Sequence, residues 1–349
     1  MKFKIKNREI GEGNSVFIVA ELSANHNQNY ELALKTIKAA KEAGADAIKL
    51  QTYTSDTMTI NSNKEFFQIK QGTIWDGQTL YDLYKKAYTP WEWQPKLKEF
   101  AEKLGLICFS SAFDKTSVDF LEKMNVPAYK IASFEITDLP LIKYVASKGK
   151  PIILSTGIAT KQEIKEAVEI CRKENNNQIA VLKCTSAYPA PLKEMNLKTI
   201  PDLAKTFKII PGLSDHTLGI SASIAAVTLG AKIIEKHFIL DRNLSGPDSS
   251  FSLEPKEFKQ MTDSIREVEK SLGKINYELT EKAKMNRDFS RSLFGIKDIK
   301  AGETLNEQNI KSIRPGFGLA PKYYEEIIGK KAKKDIERGT PISWELIEN

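Results

Sequence analysis

Residues 16–51, VFIVAELSANHNQNYELALKTIKAAKEAGADAIKLQ, decide the fold of this chain. The stretch opens with a short apolar run, Val16–Ala20, and closes with a second one, Ala47–Gln51. Between them, Tyr30–Ala43 has the apolar spacing of an amphipathic helix, and Gly44 is the residue at which such a helix ends. Continuous apolar strands joined by a helix are typical of a parallel sheet covered on both faces. The stretch therefore predicts a strand–helix–strand unit of an α/β protein.

The same alternation recurs along the chain. Eight apolar runs predict strands, at Val16–Ala20, Ala47–Gln51, Ile107–Ser110, Ala128–Ala132, Pro151–Ser155, Ile179–Cys184, Ile209–Leu213 and Lys232–His237. Amphipathic stretches between and after them predict helices, at Tyr30–Ala43, Trp93–Leu104, Thr116–Met124, Leu139–Ser147, Lys161–Lys173, Leu218–Leu229 and Pro255–Leu272. Eight such alternations match a (β/α)8 TIM barrel, usually about 250 residues long. An open doubly wound sheet is the alternative, but no G-x-G-x-x-G motif opens the first unit.

The pattern changes after Gly273. A charged connector at residues 274–285 is followed by short strand-like pieces with turn signals, which include LFGIKDIKAGETL and AKKDIERGTPI. We therefore expect a barrel at residues 1–273, a linker at 274–285 and a small second domain at 286–349. A domain of that size is marginal alone and is expected to rest on the barrel or on another subunit. The alternative is a tail that only buttresses the barrel.

Composition excludes several classes of protein. The 349 residues are 41% hydrophobic and 28% charged, as in soluble globular proteins. We find neither the run of about 20 apolar residues that a membrane helix needs nor a signal-peptide core. Three cysteines, Cys108, Cys171 and Cys184, are too few for a disulfide framework, so we expect a cytoplasmic protein.

The net charge of +7 is spread along the chain. Its densest run is Lys330–Lys334, and no aromatic interleaving or known module accompanies it, so we expect no nucleic-acid partner and no membrane partner. A modest positive field suits small anionic substrates such as phosphates and carboxylates.

Polar side chains occur at the carboxyl ends of all eight predicted strands. Catalytic residues of a TIM barrel lie there, and a scaffold alone does not require such groups at every end. The residues are Glu21; Lys49 and Gln51; Ser110 and Ser111; Lys130, Ser133 and Glu135; Ser155, Thr156 and Gly157; Thr185, Ser186 and Tyr188; Ser214, Asp215 and His216; and Glu235, Lys236 and His237. Singly, the hydroxyls could cap the next helices. Together with helix N-termini they could cradle a phosphate.

The lysines and histidines indicate the most specific chemical roles. Lys49 and Lys130 lie inside apolar strands, where each could pair with an anion or form a Schiff base. His216 and His237 end neighbouring strands, close to Asp215, Glu235 and Asp248, and could hold a divalent metal or form a hydrogen-bonded core pair.

Three further features have two interpretations each. His26 could order its loop or contact substrate. Cys184 is expected to be a buried strand residue rather than a nucleophile. The long excursion Thr52–Trp91 could form a wall or lid of the site, or it could simply pack on the barrel.

These residues carry a family resemblance. FIVAELSANHNQNYELA, ADAIKLQTY, AYKIASFE, PIILSTG, CTSAYP, GLSDHT and EKHF, in this order, resemble the sialic acid synthase family. That family condenses phosphoenolpyruvate with an open-chain sugar aldehyde on a (β/α)8 barrel. The tail motifs KDIKAGETL, SIRPGFGL and KDIERGTPI are similar to the antifreeze-like (SAF) domain that follows such barrels. The resemblance covers nearly the whole chain.

Within the family, AELSANH, IKLQTYT, KIASFE and KCTSAYP resemble the branch that uses 2,4-diacetamido-2,4,6-trideoxy-L-altrose. Ser186 stands where N-acetylneuraminate synthases carry Asn. Phe134 stands where Gly is often found, and it would narrow the mouth of the site and exclude water from it. The N-acetylneuraminate and legionaminate branches are alternatives. A lysine Schiff-base aldolase and a non-catalytic carbohydrate-binding or ice-binding protein remain as more distant alternatives.

The resemblance implies roles for named residues. Glu135 would be the base near the developing cation, and Glu21 would help to position the reactants. His216 and His237 would bind a divalent metal that acts as a Lewis acid, with Mn²⁺ expected first and Mg²⁺ or Co²⁺ as alternatives. The phosphoenolpyruvate contacts would be Lys49, Ser111, Lys130, Ser133, Ser155, Ser186 and Ser214. The sugar contacts would be Gln51, Tyr188, Asp248 and Arg314, with Arg314 reaching a neighbouring subunit in a domain-swapped homodimer.

Overall fold

The structure is a computed structural model and describes residues 1–348. The chain divides into two compact units, Met1–Gly273 and Lys274–Asn349. Residue 349, the predicted end of the second domain, lies outside the described residues. No helix within the described residues has the length and apolar content to cross a membrane.

The first unit is a closed barrel of eight parallel strands surrounded by helices, which confirms the predicted fold. The barrel strands are β3 (Phe17–Glu21), β4 (Ala47–Thr52), β5 (Ile107–Ala112), β6 (Tyr129–Ile131), β7 (Ile152–Ser155), β8 (Ile179–Cys184), β9 (Ile210–Asp215) and β10 (Ile233–His237). Strand β10 pairs with β3 and closes the sheet. The helices are α1 (Tyr30–Glu42), α2 (Ser55–Met58), α3 (Leu80–Ala87), α4 (Gln94–Lys103), α5 (Lys115–Lys123), α6 (Leu139–Ala146), α7 (Lys161–Lys173), α8 (Thr199–Phe207), α9 (Ser221–Thr228) and α10 (Pro255–Leu272).

Three helices of the barrel unit were missed, α2, α3 and α8, and a fourth begins later than predicted. In α8, Pro201 lies in the first turn, where a missing N–H costs no helical hydrogen bond. The helix predicted from Leu218 begins only at Ser221. Gly219 has a φ of +74°, which a right-handed helix cannot contain.

An N-terminal hairpin, β1 (Lys2–Ile5) and β2 (Arg8–Gly11), precedes the barrel and was also missed. Its apolar residues Phe3, Ile5 and Ile10 pack in one cluster with inward-facing strand residues such as Phe17 and Phe109. The hairpin therefore packs against the barrel interior, and the alternation of KFKI is the signal that could have revealed it.

The second unit has its own small core. Strands β11 (Ser292–Gly295) and β12 (Ile310–Ile313) pair antiparallel, and α11 (Glu281–Asn286) and α12 (Tyr324–Ile327) are its short helices. Its core residues are Leu293, Ile299, Leu305, Ile310, Ile327, Ala332, Ile336, Ile342, Leu346 and Ile347.

Candidate active site

The alternation of side chains along the strands directs a set of polar residues into one cavity. In β10, Glu235 and His237 line this cavity, whereas Lys236 between them does not. The cavity has a volume of about 640 Å³. Thirteen of the predicted site residues line it: Lys49, Gln51, Ser111, Lys130, Ser133, Glu135, Ser155, Ser186, Tyr188, Ser214, His216, His237 and Asp248.

Two buried lysines meet one carboxylate on the cavity floor. Lys130 Nζ lies 3.3 Å and Lys49 Nζ 3.8 Å from Glu235 Oε1. Lys49 also contacts the carboxylate of Glu21 and donates to Ser111 Oγ at 3.0 Å. These side chains are at most 6% exposed, so water screens their charges little. The central position of Glu235 was missed, although its place two residues before His237 was a usable signal.

The protonation of the floor follows from burial and from these ion pairs. Burial would raise the pKa of Glu235, but Lys130 and Lys49 lower it below its usual value. Burial raises the pKa of Glu21 to about 7, against the opposing effect of Lys49. Burial also lowers the pKa of Lys130, against the opposing effect of Glu235. An anion that contacts both lysines would favour their charged forms in the same way as Glu235 does.

Hydroxyl groups surround a backbone N–H next to the lysines. Lys130 Nζ donates to Ser155 Oγ at 2.7 Å, and the N–H of Gly157 donates to Ser133 Oγ at 3.1 Å. A Cβ at Gly157 would lie only 1.9 Å from Ser186 Oγ. Ser186 Oγ is buried and has no hydrogen-bond partner in the part of the chain that is described. This cradle suits the oxygen atoms of a phosphate.

The two histidines are adjacent, with ring centroids 5.3 Å apart. His216 Nδ1 lies 3.2 Å from the carbonyl oxygen of Thr185, an arrangement that leaves Nε2 with its lone pair when Nδ1 donates. His237 Nδ1 is buried without a hydrogen-bond partner among residues 1–348, and it lies 3.7 Å from Asp248 Oδ2. Burial, together with the charge of His216 and Lys49, lowers the pKa of His237 well below its usual value.

These features fit the binding of a divalent metal by the histidine pair. Neutral imidazoles are the form that ligates metals, and the lowered pKa of His237 favours that form. Although burial would lower the pKa of His216, Cys184 raises it, so a metal bound there would displace a proton from His216. Ligating histidines commonly donate their other ring nitrogen to a carbonyl. No group of three or more His, Cys, Asp or Glu residues that could hold a metal occurs within residues 1–348. Water and substrate would therefore have to supply the remaining ligands.

Asp215 does not join the histidines, so its expected place beside them is wrong. Its carboxylate accepts hydrogen bonds from Lys236 Nζ and Ser223 Oγ, both at 2.7 Å. Asp215 and Lys236 are paired residues of the neighbouring strands β9 and β10, and their side chains are fully buried. They face away from the cavity because they alternate with His216, Ser214, Glu235 and His237 along β9 and β10.

A short polar chain connects Glu21 to Asp248. Gln51 Nε2 donates to Glu21 Oε1 at 3.0 Å and to Ser23 Oγ at 2.9 Å, and Ser23 donates to the carboxylate of Asp248. Glu21 itself lies behind Lys49 and is 1% exposed. Ser23, which lines the cavity, was missed, although its place two residues after Glu21 was a usable signal.

Glu135 and Phe134 follow the end of β6 and line the cavity. Glu135 Oε2 is buried with no hydrogen-bond partner in the described chain. Burial raises the pKa of Glu135 to about 7, within the range of a general base that works near neutral pH. Phe134 is 58% exposed at the cavity.

Three other residues have clear positions. His26 is fully buried outside the cavity lining, and its Nε2 lies 3.1 Å from Thr89 Oγ1, so it orders its loop. Cys184 is buried, as expected, with Sγ 3.7 Å from His216 Nδ1. Arg314 lies on the surface of the second unit, after β12.

Comparison with known proteins identifies the family. The model of the NeuB family matches residues 36–277, and that of the SAF domain matches residues 290–348. The chain belongs to the NeuB family. It is thus an enzyme of a synthase family, and the resemblance seen in the sequence is confirmed.

Several NeuB relatives cover almost the whole chain. Pseudaminic acid synthase of Campylobacter jejuni is 52% identical, over 96% of this chain and 98% of that protein. Pseudaminic acid synthase of Helicobacter pylori is 51% identical, over 95% and 97%. The crystal structure of N-acetylneuraminic acid (sialic acid) synthetase from Leptospira borgpetersenii is 34% identical with a TM-score of 0.74, over 82% of this chain and 95% of that one.

Proposed function

We propose that this NeuB enzyme is a pseudaminic acid synthase. It condenses phosphoenolpyruvate with 2,4-diacetamido-2,4,6-trideoxy-L-altrose and water, and it yields pseudaminic acid and phosphate. The observation that carries the proposal is the buried floor of Lys49, Glu235 and Lys130, which lies in the same cavity as His216 and His237. The identity of 52% to a pseudaminic acid synthase supports the choice of sugar.

Phosphoenolpyruvate would bind across the floor and the cradle. Lys49, Ser111 and Lys130 face its carboxylate, and charge-assisted hydrogen bonds from the two lysines would compensate for the loss of water around that group. Its phosphate lies among four hydroxyls, those of Ser133, Ser155, Ser186 and Ser214.

His216 and His237 would hold the divalent cation, for which we propose Mn²⁺ before Mg²⁺ or Co²⁺. When bound there, the metal polarises the aldehyde oxygen of the sugar. Each histidine would bind the metal through a ring nitrogen that carries no proton, and Asp248 Oδ2 lies 3.7 Å from His237 Nδ1.

The reaction forms one carbon–carbon bond, and at carbon 2 it replaces the bond to the phosphate oxygen with a bond to the oxygen of water. Carbon 3 of phosphoenolpyruvate attacks the aldehyde carbon, the aldehyde oxygen takes up a proton, and positive charge develops at carbon 2. Glu135 takes a proton from the water that adds to carbon 2. The tetrahedral intermediate then expels phosphate and becomes a ketone. Glu21 positions the reactants through Lys49 and Gln51.

The sugar would occupy the mouth of the cavity, between Gln51, Tyr188 and Asp248. Phe134 presents an apolar ring there, which suits a 6-deoxy sugar because a methyl group needs no hydrogen-bond partner. N-acetylneuraminate and legionaminate synthesis are the alternatives within the family.

We further propose a homodimer in which Arg314 completes the sugar site of the neighbouring subunit. The connector supports this proposal, since Ile275 is 91% and Tyr277 95% exposed, and exposed apolar side chains often mark an interface. Light scattering tests the dimer, and we expect a mass of two chains. We also expect the R314A variant to have a raised KM for the sugar. A monomer with wild-type kinetics in R314A would refute it. Three free, buried cysteines suit the reducing cytoplasm that we propose as its location.

The deciding experiment supplies phosphoenolpyruvate with 2,4-diacetamido-2,4,6-trideoxy-L-altrose or with N-acetylmannosamine, and it measures phosphate release and product mass. We expect rapid phosphate release only with the first sugar, and a product with the mass of pseudaminic acid. Preference for N-acetylmannosamine would assign the neuraminate branch. Borohydride trapping of a sugar on Lys49 or Lys130, without phosphate release, would instead support a Schiff-base aldolase. Absence of turnover with both sugars would refute the substrates proposed here.

A further inference from the structure

The excursion between β4 and α4 gives the cavity an apolar side. The strand ends contribute most of the charged groups, whereas the excursion contributes mainly apolar and aromatic side chains, together with Gln68, Gln71 and Thr73. The apolar and aromatic side chains of the excursion that line the cavity include Met58, Phe66, Ile69, Trp75, Leu80, Leu83, Tyr84 and Ala87. The excursion therefore forms a wall of the site, which decides between the two interpretations of its sequence. A ligand that matches this cavity is anionic on one side and carries apolar groups on the other.

Trp75 belongs to this wall and contacts residues that are distant in sequence. It is half-buried, whereas the other residues of 71–77 are exposed. Its indole Nε1–H donates to the carbonyl oxygen of Pro247 at 2.9 Å, and its ring centroid lies 5.2 Å from that of Tyr188. Tyr188 in turn packs against His216, with centroids 4.5 Å apart. Contacts thus run from the excursion to the histidine pair through two aromatic rings.

The loop that carries Trp75 is held by its own hydrogen bonds. The carboxylate of Asp76 accepts from the N–H groups of Gly72 and Thr73 at 2.8 and 2.9 Å. The N–H of Gly77 donates to the carbonyl oxygen of Ile69 at 3.1 Å. The loop therefore presents the indole without help from a ligand, which lowers the entropic cost of binding.

The indole can offer a ligand only its apolar ring, because its single donor is taken by Pro247. A methyl group that packs on such a ring gains apolar burial. A hydroxymethyl group at the same place loses hydrogen bonds to water and finds no replacement on the ring.

We propose that Trp75 is a specificity-determining residue, whose indole packs against the apolar groups of the acceptor sugar and disfavours acceptors with a hydroxymethyl group at that position. The proposal rests on the proposed function and adds a residue that selects the sugar. The proposed function places phosphoenolpyruvate on the lysine floor and the serine cradle, so we expect it not to contact the indole.

The test compares W75A, W75F and the control I74A, because Ile74 is an exposed neighbour outside the cavity lining. We expect W75A to raise KM for the trideoxy sugar about tenfold and to leave KM for phosphoenolpyruvate within about twofold. W75F keeps a ring and loses the hydrogen bond, so its effect is smaller, and I74A behaves as wild type. The preference for the trideoxy sugar over N-acetylmannosamine, expressed as a ratio of kcat/KM, falls in W75A.

An unchanged sugar KM in W75A, or equal increases in both KM values, would overturn the role of Trp75 while the proposed function stands. If the wild-type enzyme releases no phosphate with either sugar, the proposed function fails. The role of Trp75 is then tested by calorimetry, which measures the binding of the trideoxy sugar alone. Binding that weakens about tenfold in W75A supports the proposal. Equal binding to both proteins, or no binding to the wild type, refutes it.

Discussion

The substitution E235Q tests the electrostatics of the cavity floor. It replaces the carboxylate between Lys130 and Lys49 with a neutral amide of nearly the same shape. Both lysines are 4% exposed or less, so solvent cannot compensate for the lost charge. In the variant both lysines remain buried. Lys130 has lost its nearest anion, whereas Lys49 keeps its contact with Glu21.

The magnitude follows from the distances. At an effective dielectric constant of about 20, attraction across 3.3 Å and 3.8 Å amounts to roughly 5 and 4 kcal/mol. Desolvation of the carboxylate offsets part of this sum, and breaking a buried ion pair typically costs about 3–5 kcal/mol. We therefore expect E235Q to lower Tm by roughly 10 °C.

Phosphoenolpyruvate should restore part of this stability, because its anionic groups replace the missing charge. The assay is thermal unfolding of wild type, E235Q and the control E12Q, with and without phosphoenolpyruvate. Glu12 is a suitable control because its side chain is 88% exposed. We expect the ligand to raise Tm more in E235Q than in wild type. A Tm in E235Q equal to that of E12Q, or equal ligand shifts in all three proteins, would refute the reasoning.

Three further predictions concern the cradle, the base and the histidines. G157A places a Cβ 1.9 Å from Ser186 Oγ, so KM for phosphoenolpyruvate should rise about tenfold or more, and an unchanged KM would show that no phosphate binds there. Burial raises the pKa of Glu135 to about 7, and a base must be ionised, so kcat/KM should fall as the pH drops through about 7. E135Q should be nearly inactive with little change in phosphoenolpyruvate affinity, and the role is wrong if E135Q keeps both its activity and this acid limb. Chelation should abolish turnover reversibly, and H216A or H237A should weaken the binding of Mn²⁺ measured by calorimetry. Full activity in a metal-free sample would contradict the metal role.

The sequence was sufficient for the barrel because its strands are short and mostly apolar and most of its helices have an apolar stripe. The predicted strand ends also located the site, since residues that follow a barrel strand lie at its catalytic end. The sequence did not show towards which face of the sheet each side chain at a strand end points. Asp215 was placed beside His216 by proximity in sequence, but a period of two turns it towards Lys236 instead.

Long-range partners were the other limit. Glu235 was recognised as polar, yet its position between Lys49 and Lys130 depends on the register of three strands that are distant in sequence. Trp75 belongs to a loop without strong periodicity, and only the fold brings it to Pro247 and Tyr188.

The most direct test of the central claim follows the bridging oxygen of phosphoenolpyruvate. The substrate is labelled with ¹⁸O between carbon 2 and phosphorus, and the released phosphate is analysed by mass spectrometry after reaction with the trideoxy sugar. If water adds to carbon 2 and the carbon–oxygen bond breaks, the label leaves with phosphate. Release of unlabelled phosphate would mean that the phosphorus–oxygen bond is broken, and it would contradict the chemistry assigned to this cavity.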